Sequence, residues 1–322
     1  MAETSPRQLL IPFAGRGSPS CRAALPALRL PNLESLLSRL TLADTDTQDE
    51  STRSPPHERA LAQALGIDAP DGCIPWAALE ARRLGIAEPG DTGGWGLVTL
   101  CNWQVGIDDV VLGDPGSIEI DAAESAALLE AARPFFEEDG IALHPSPVPG
   151  RWLARAPIFE GLATASIDRA VGYPISQWSP LADAARPLRR LQNEMQMLLY
   201  TQRVNDERAA RGVPPINSFW LAGTGALKKE AAEPAVVPTV NDSLRIAALR
   251  DDGIGWAAAW QAIDAGPLAA LLAEYTRGAA DVSLTLCGDR ASQRYTVQPR
   301  GLARWAKSLF ERKQAATVLE AL

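Results

Sequence analysis

The chain has 322 residues, with Lys and Arg totalling 31 against 39 Asp and Glu, for a net charge of −8, and 46% of its residues are apolar, enough to build a sizeable core. A negative balance disfavours a general nucleic-acid binder, which needs surplus cations to neutralise phosphate. Only two histidines (His57 and His144) stand beside nine tryptophans, so no site built from three imidazoles can exist.

The four cysteines (Cys21, Cys73, Cys101 and Cys287) are far apart and form no CxxC pair, a spacing that reads as reduced, mostly buried thiols. The apolar run Leu9–Ala14 is short for a signal peptide and is broken by Pro12. No stretch approaches the roughly 20 apolar residues that span a bilayer. The expected location is therefore cytoplasmic, with no membrane partner.

In chain order, Gln8–Phe13 reads as a short buried strand, and Pro31 opens a helix whose leucines at 33, 36, 37 and 40 follow a 3.6-residue period. Residues 43–56 are polar, acidic and end in two prolines, so a loop is expected there. Glu58–Leu65 and Trp76–Leu84 read as short helices, and Gly94–Asn102 as a strand followed by a turn. Asp121 and Glu124 form a capping box for a helix that runs to about Glu138 and stops at Asp139-Gly140. Strands are expected at Ile141–His144 and Arg151–Ala156. One long helix is expected between Pro187 and Gly212, then a buried strand at Ile216–Leu221 ending at Gly223 and Gly225. A second loop at 226–240 precedes helices near 242–250, 254–264 and 267–277, a hairpin of Val282–Cys287 with Gln293–Val297, and a final amphipathic helix. This mixture predicts an α/β protein, a mixed sheet flanked by helices. The length favours two domains or one large unit carrying an insertion. The organisation read from residues 1–322 is a single α/β unit open to subdivision. It has an N-terminal part in 1–42 and 57–180, a polar loop at 43–56, a central motif segment at 181–225, a loop at 226–240 and a C-terminal part at 241–322.

The most informative stretch is Leu188–Leu227. Leu188, Leu191, Met195, Leu198 and Leu199 share one helical face, and Asn193, Gln196 and Tyr200 share another, with Arg190 and Glu194 as i, i+4 partners. An amide-rich face beside an apolar stripe suggests a buried polar network or a ligand wall. Asn205, Arg208 and Arg211 follow, then Pro214-Pro215, Asn217 and Trp220, and the pair Gly223 and Gly225. The structural alternative has equal weight: Asn217 bridges loops, Trp220 is core and the glycines only turn the chain. Asn102, Trp103 and Gln104 sit at a strand end, where α/β folds place ligands. Cys101 has no base nearby and reads as an inert thiol. Arg151 beside Trp152 suits an anion or a stacked ring, with a surface arginine covering a core tryptophan as the alternative.

The pieces LLIPFA, SPPHERALA, NWQVGIDDV, FFEEDGIALH, RPLRRLQNEMQMLLY, VNDERAARG, PPINSFWLAGTGAL and LTLCGDR resemble the RpfE-type proteins of proteobacteria, described as regulatory, uncharacterised or phosphoglycerate-mutase-like. The block Val204, Asn205, Arg208, Gly212, Pro215, Asn217, Trp220, Gly223 and Gly225 is also similar to a motif of archaeal-type cofactor-independent phosphoglycerate mutases. That second resemblance covers a fraction of the chain. It implies a degenerate alkaline-phosphatase-like, phosphoglycerate-mutase-like scaffold, and in that family two divalent metals held by Asp and His act with a Ser nucleophile. This chain departs from the pattern: Ile11-Pro12-Phe13-Ala14-Gly15 replaces a strand ending in Asp-Gly, Gln202-Arg203 replaces His-Pro, Asn102 stands where RpfE-type proteins have His, and no histidine follows His144.

The expectation is a non-catalytic regulatory or binding protein without metal or cofactor. Its ligand is a small anionic or phosphorylated molecule in a cleft lined by Asn102, Trp103, Gln104, Arg151, Asn193, Asn205, Arg208 and Asn217. The alternative is a metal-dependent phosphoglycerate mutase or phosphatase-like enzyme with an unrecognised site. DNA-binding regulation rests only on Arg186, Arg189 and Arg190, which Leu188 and Leu191 interleave as core.

Overall fold

The computed structural model describes residues 7–180, 183–228, 237–298 and 314–322. Its elements begin with β1 (Gln8–Ile11), α1 (Pro19–Ala24), α2 (Pro31–Arg39), β2 (Thr41–Thr47), α3 (Pro56–Ala64) and α4 (Trp76–Arg83). Next come β3 (Trp95–Cys101), β4 (Trp103–Val105), β5 (Val110–Leu112), α5 (Ala122–Glu138), β6 (Ala142–Pro145), β7 (Arg151–Arg155), α6 (Ile167–Ala170) and α7 (Ile175–Trp178). The rest are α8 (Arg186–Tyr200), α9 (Arg203–Ala210), β8 (Ser218–Gly225), β9 (Thr239–Val240), α10 (Arg245–Leu249), α11 (Gly253–Ile263), α12 (Ala269–Thr276), β10 (Ser283–Cys287), β11 (Ala291–Thr296) and α13 (Ala315–Glu320). The chain is an α/β protein with mixed pairing and helices on its sheets. It divides into two compact units, the first from 1–51, 55–66 and 233–322, the second from 52–54 and 67–232.

The first unit carries a five-stranded sheet of order β2-β11-β10-β1-β9. β1 runs parallel to both β10 and β9, while β11 is antiparallel to β10 and to β2. Alternation sends Leu9, Ile11, Leu284 and Leu286 to one face, where they join Leu33, Leu36 and Leu37 of α2 and Trp256 and Trp260 of α11 in one core. Each such side chain contributes about 1.5–3 kcal/mol on burial. Pro31 pre-sets the first turn of α2. Its free amides are capped from far along the chain: the buried Asp264 carboxylate accepts from Leu33 N at 2.8 Å and from Asn32 N at 3.2 Å. Asp264 occupies a wide π turn, Asp264–Leu268, that joins α11 to α12 around Pro267.

Residues 43–47, expected as loop, belong to β2 and pair with β11 as an edge strand. Its sequence TLADTDT has no apolar alternation because neither face enters the core, and side-chain partners hold it instead: Arg59 on Asp46 at 2.6 Å and Gln63 on Asp44 at 3.0 Å. Thr239–Val240 of the expected second loop is likewise a strand, adding to β1. Residues 229–236 of that loop lie outside the described residues, as do 181–182 of the central segment and 299–313, which precede α13.

The second unit is built on a four-stranded antiparallel sheet, β6-β7-β3-β8, with a small β4-β5 hairpin. Val98, Leu100, Trp152, Phe219 and Leu221 face α5 and α8, while Trp95 and Leu153 face the alanines of α4, so both faces of the sheet are covered. The capping box of Asp121 and Glu124 starts α5 as expected, and Gly140, at φ +71°, lies just beyond its end.

The single helix expected from Pro187 to Gly212 is two. Gln202 leaves the helical region at φ −79°, ψ 134° and stands just before α9, its side chain bonding back to Leu198 O rather than to the new helix. Polar side chains take over the carbonyls that the break exposes. Thr201 Oγ1 donates to Leu198 O at 2.9 Å and Asn205 Nδ2 to Leu199 O at 2.8 Å. Side-chain competition of this kind with the backbone ladder is what ends the helix. The apolar stripe of α8 is buried at Leu188, Leu191, Met195 and Leu199. The face of Asn193, Gln196 and Tyr200 is not a buried network: Asn193 is exposed, Gln196 half-buried and Tyr200 84% exposed.

Among the described residues, no helix is long and apolar enough to cross a membrane.

Candidate functional site

Five of the eight residues singled out from the sequence converge in the second unit on one segment, Pro214–Asn217. Two prolines in a row remove two amide donors, and the segment belongs to no helix or strand until β8 begins, so its main chain needs side-chain partners. Arg208 Nε donates to Pro214 O at 2.8 Å, and Asn102 Nδ2 to Pro215 O at 2.8 Å. Asn205 donates to Ile216 O at 2.7 Å and accepts from Ile216 N at 2.8 Å. Asn217 makes the same two-way clip with Trp103, accepting from its amide at 2.6 Å and donating to its carbonyl at 2.9 Å. Three successive positions, Pro214 to Ile216, are each held by a different side chain, and the Asn217 side chain is spent on the Trp103 backbone.

The other three stand apart from this bracket. Gln104 is exposed on the β4-β5 hairpin, near Val105 and Ile107, which are 84% and 102% exposed. Asn193 lies on the outer face of α8. Arg151 is paired with Glu80 at 2.7 Å, and the neighbouring Trp152 is core, its indole donating to Ser125 Oγ at 3.3 Å. The glycines of β8 serve close approach. A Cβ on Gly223 would stand 3.0 Å from Trp76 Cβ, and one on Gly225, at φ +147°, 2.8 Å from Cys73 O, so both admit the start of α4 against the strand. Trp220 is buried and donates to Ala165 O at 2.9 Å.

Arg208 is 1% exposed, and its second partner set was invisible in the sequence. Nη1 meets Glu124 Oε2 at 2.8 Å and Glu119 O at 3.4 Å, and Nη2 meets Ile118 O. Glu124, whose sequence signal was only a capping box, also pairs with Arg211. Eighty-odd residues separate these partners, and no local spacing announces them. Beside this buried cluster, α5 and α9 border an open groove of about 680 Å³ lined by Glu124, Gln202, Arg203, Glu207 and Arg211. Arg203 and Arg211, 88% and 53% exposed, are its accessible cations.

In the first unit, the parallel strands β1, β9 and β10 end together at Ile11, Val240 and Cys287, the edge where α/β sheets place ligands. Here the chain after β1 is pinned. Ala14 N donates to Cys287 O at 2.7 Å, the Trp256 indole to Phe13 O at 3.0 Å and the Trp260 indole to Ala14 O at 3.2 Å. Phe13 is held at φ +56°, a left-handed conformation that costs a non-glycine residue about 1–2 kcal/mol. The two indole bonds offset it at about 1 kcal/mol each. Arg16 pairs with Asp289, which also accepts from Gly17 N at 2.7 Å, and the guanidinium lies 5.7 Å from the Phe13 ring centre. On the ring's other contact, His57 is 5.1 Å away.

The donor set for two divalent metals does not fit this edge. The position after β1 presents Phe13 and Ala14, the nearby carboxylates of Asp289 and Asp46 are paired with Arg16 and Arg59, and among the described residues no group of three or more His, Cys, Asp or Glu could hold a metal ion. Nor are the thiols activated. Burial pushes Cys21, Cys73, Cys101 and Cys287 upward, the last two most strongly, so each stays protonated at neutral pH. His144, 5.5 Å from the Trp95 ring, has its pKa lowered by burial and then by the charges of Arg133 and Arg155.

The strands and helices define an α/β protein with mixed sheets. Among solved structures, the chain is similar over 98% of its length to 98% of the cofactor-independent phosphoglycerate mutase from Thermoplasma acidophilum, at 15% identity and a TM-score of 0.38. It is similar over 91% of its length to 88% of the PH0037 protein from Pyrococcus horikoshii, at 13% identity and a TM-score of 0.44. These likenesses concern the fold alone. No protein-family model matches the chain, and no curated protein matches it.

Proposed function

We propose that this chain is a non-catalytic regulatory or binding protein, of the RpfE type that its sequence resembles, which takes a small anionic or phosphorylated ligand. The observation that supports this reading is the edge after β1. Where metal-dependent phosphoryl transfer would need carboxylates, the chain presents Phe13 and Ala14 pinned by two indoles, and Arg16 pairs with Asp289 beside them. The accessible cations that suit an anion are Arg203 and Arg211 beside the α5–α9 groove, held near it by Glu207 and Glu124.

The test is a thermal-shift screen of the full chain with 2- and 3-phosphoglycerate, nucleoside monophosphates and acetyl phosphate, followed by titration. Stabilisation by one of them, weakened about tenfold in Arg203→Ala and Arg211→Ala, is the expected result. Turnover of either phosphoglycerate in Mn²⁺ or Mg²⁺, abolished by chelator, would overturn the non-catalytic reading, and silence of the whole panel would overturn the anion.

A further inference from the structure

The sheet of the first unit has one apolar face and one mixed face, on which Leu10 and Cys287 pack with Ala60 and polar residues surround them. In register across β10, β11 and β2, Thr285 stands opposite Arg294, and Arg294 opposite Asp44. Ser292 lies two residues before Arg294 on β11, so its side chain leaves the same face, and Gln8 of β1 stands opposite Ser283. Helix α3 passes over this face with Ala60, Gln63 and Ala64, and the small alanines leave a cavity of about 180 Å³. Gln8, Asp44, Gln63, Thr285, Ser292 and Arg294 line it.

Thr285 and Ser292 are largely buried as residues, and their hydroxyls, which open onto the cavity, make no hydrogen bond among the described residues. Opposite charges facing each other across two strands ordinarily pair. Arg294 makes no ion pair among the described residues, and Asp44 instead accepts from Gln63 Nε2 at 3.0 Å and from Thr45 N at 3.0 Å. The cavity therefore offers the exposed guanidinium of Arg294, one carboxylate with remaining acceptor capacity, and two hydroxyls between them that open onto it.

We propose that this cavity binds a small zwitterion of amino-acid size, with its carboxylate on Arg294, its ammonium on Asp44 and its remaining polar atoms on Thr285 and Ser292. A simple anion would meet Asp44, and a simple cation would meet Arg294; a molecule carrying both charges a few bonds apart satisfies the two together. The volume is well under the roughly 300–1,000 Å³ of pockets that take drug-sized ligands, which limits the occupant to a small molecule. The site belongs to the first unit and stands independently of the anion proposed for the α5–α9 groove.

Isothermal titration of the full chain with the twenty L-amino acids tests this, with acetate and methylammonium as half-probes. At least one amino acid binds, and each half-probe binds about a hundredfold more weakly or not at all. Arg294→Gln and Asp44→Asn each weaken the amino acid about tenfold or more, and Thr285→Val weakens it less, while circular dichroism shows the variants folded. Arg294→Lys, which keeps the charge without the fork, falls between wild type and Arg294→Gln. The proposal is overturned if no amino acid binds, if binding survives both charge substitutions, or if acetate binds as well as the amino acid and Asp44→Asn leaves it unchanged.

Discussion

Arg208 is the residue on which the second unit depends most, and replacing it by methionine measures that dependence. Methionine keeps much of the aliphatic volume but removes every donor. Three carbonyls, of Ile118, Glu119 and Pro214, lose their guanidinium partner, and the buried Glu124 carboxylate loses one of its two arginines. Glu119 sits at φ +40°, so the bond to its carbonyl also helps to hold a strained turn. Breaking a buried pair from one side costs about 3–5 kcal/mol, and the retained Arg211 keeps the figure within that range despite the added carbonyls. Arg211, with its own side chain 53% exposed, makes the natural control: its alanine variant loses under about 1 kcal/mol. Urea unfolding followed by circular dichroism gives the totals, and hydrogen exchange in peptides 118–124 and 203–216 assigns them to this cluster. A loss below about 1 kcal/mol in Arg208→Met, or one equal to that of Arg211→Ala, would refute the reasoning.

Two further outcomes follow from groups that clamp neighbouring backbone. The Arg155 guanidinium, with smaller help from Gly93 N and the Trp95 indole, holds the Asp91 carboxyl at about 2, below its ordinary 3.8. A depressed folded-state value stabilises above the unfolded value and is lost as pH falls through the folded one. Because Arg155 is half exposed, the contribution is about 1 kcal/mol at neutral pH. Asp91→Asn should melt lower than wild type at pH 7, and the gap should narrow below pH 4 and vanish toward pH 1; a gap as wide at pH 1 as at pH 7 contradicts this assignment. Asp264→Ala removes the remote cap of α2 and is expected to cost about 2 kcal/mol, visible as faster exchange across 31–39, whereas Asp264→Asn, which can still accept, costs about half. Equal losses in the two variants would show that the carboxylate oxygens are not the cap.

Much of the fold was legible because single segments carried complete signals. The leucines of α2, the capping box of α5 and the alternation of β10 each determine their own element without help from elsewhere. β2 was not legible, because an edge strand with neither face in the core has no apolar period to display. The break at Gln202 was hidden because a run of helix-forming residues conceals a stop made by side chains that bond to carbonyls three, four and six residues earlier. Long-range partners such as Asp264 on α2, or Arg208 on Glu124, leave no trace in local spacing.

The site residues show a different limit. Asparagine and arginine near a strand end describe two situations equally well, a ligand waiting to be bound or backbone waiting to be satisfied. What separates them is the count of main-chain donors and acceptors nearby. Pro214 and Pro215 supply carbonyls without amides, in a stretch that pairs with no strand until Ser218, so at least three carbonyls there need outside donors. Asn102, Asn205 and Arg208 provide them, and Asn217 spends both amide atoms on Trp103. Under α3, by contrast, Thr285, Ser292 and Arg294 stand beside strands that already pair with one another, so no main-chain demand accounts for them there.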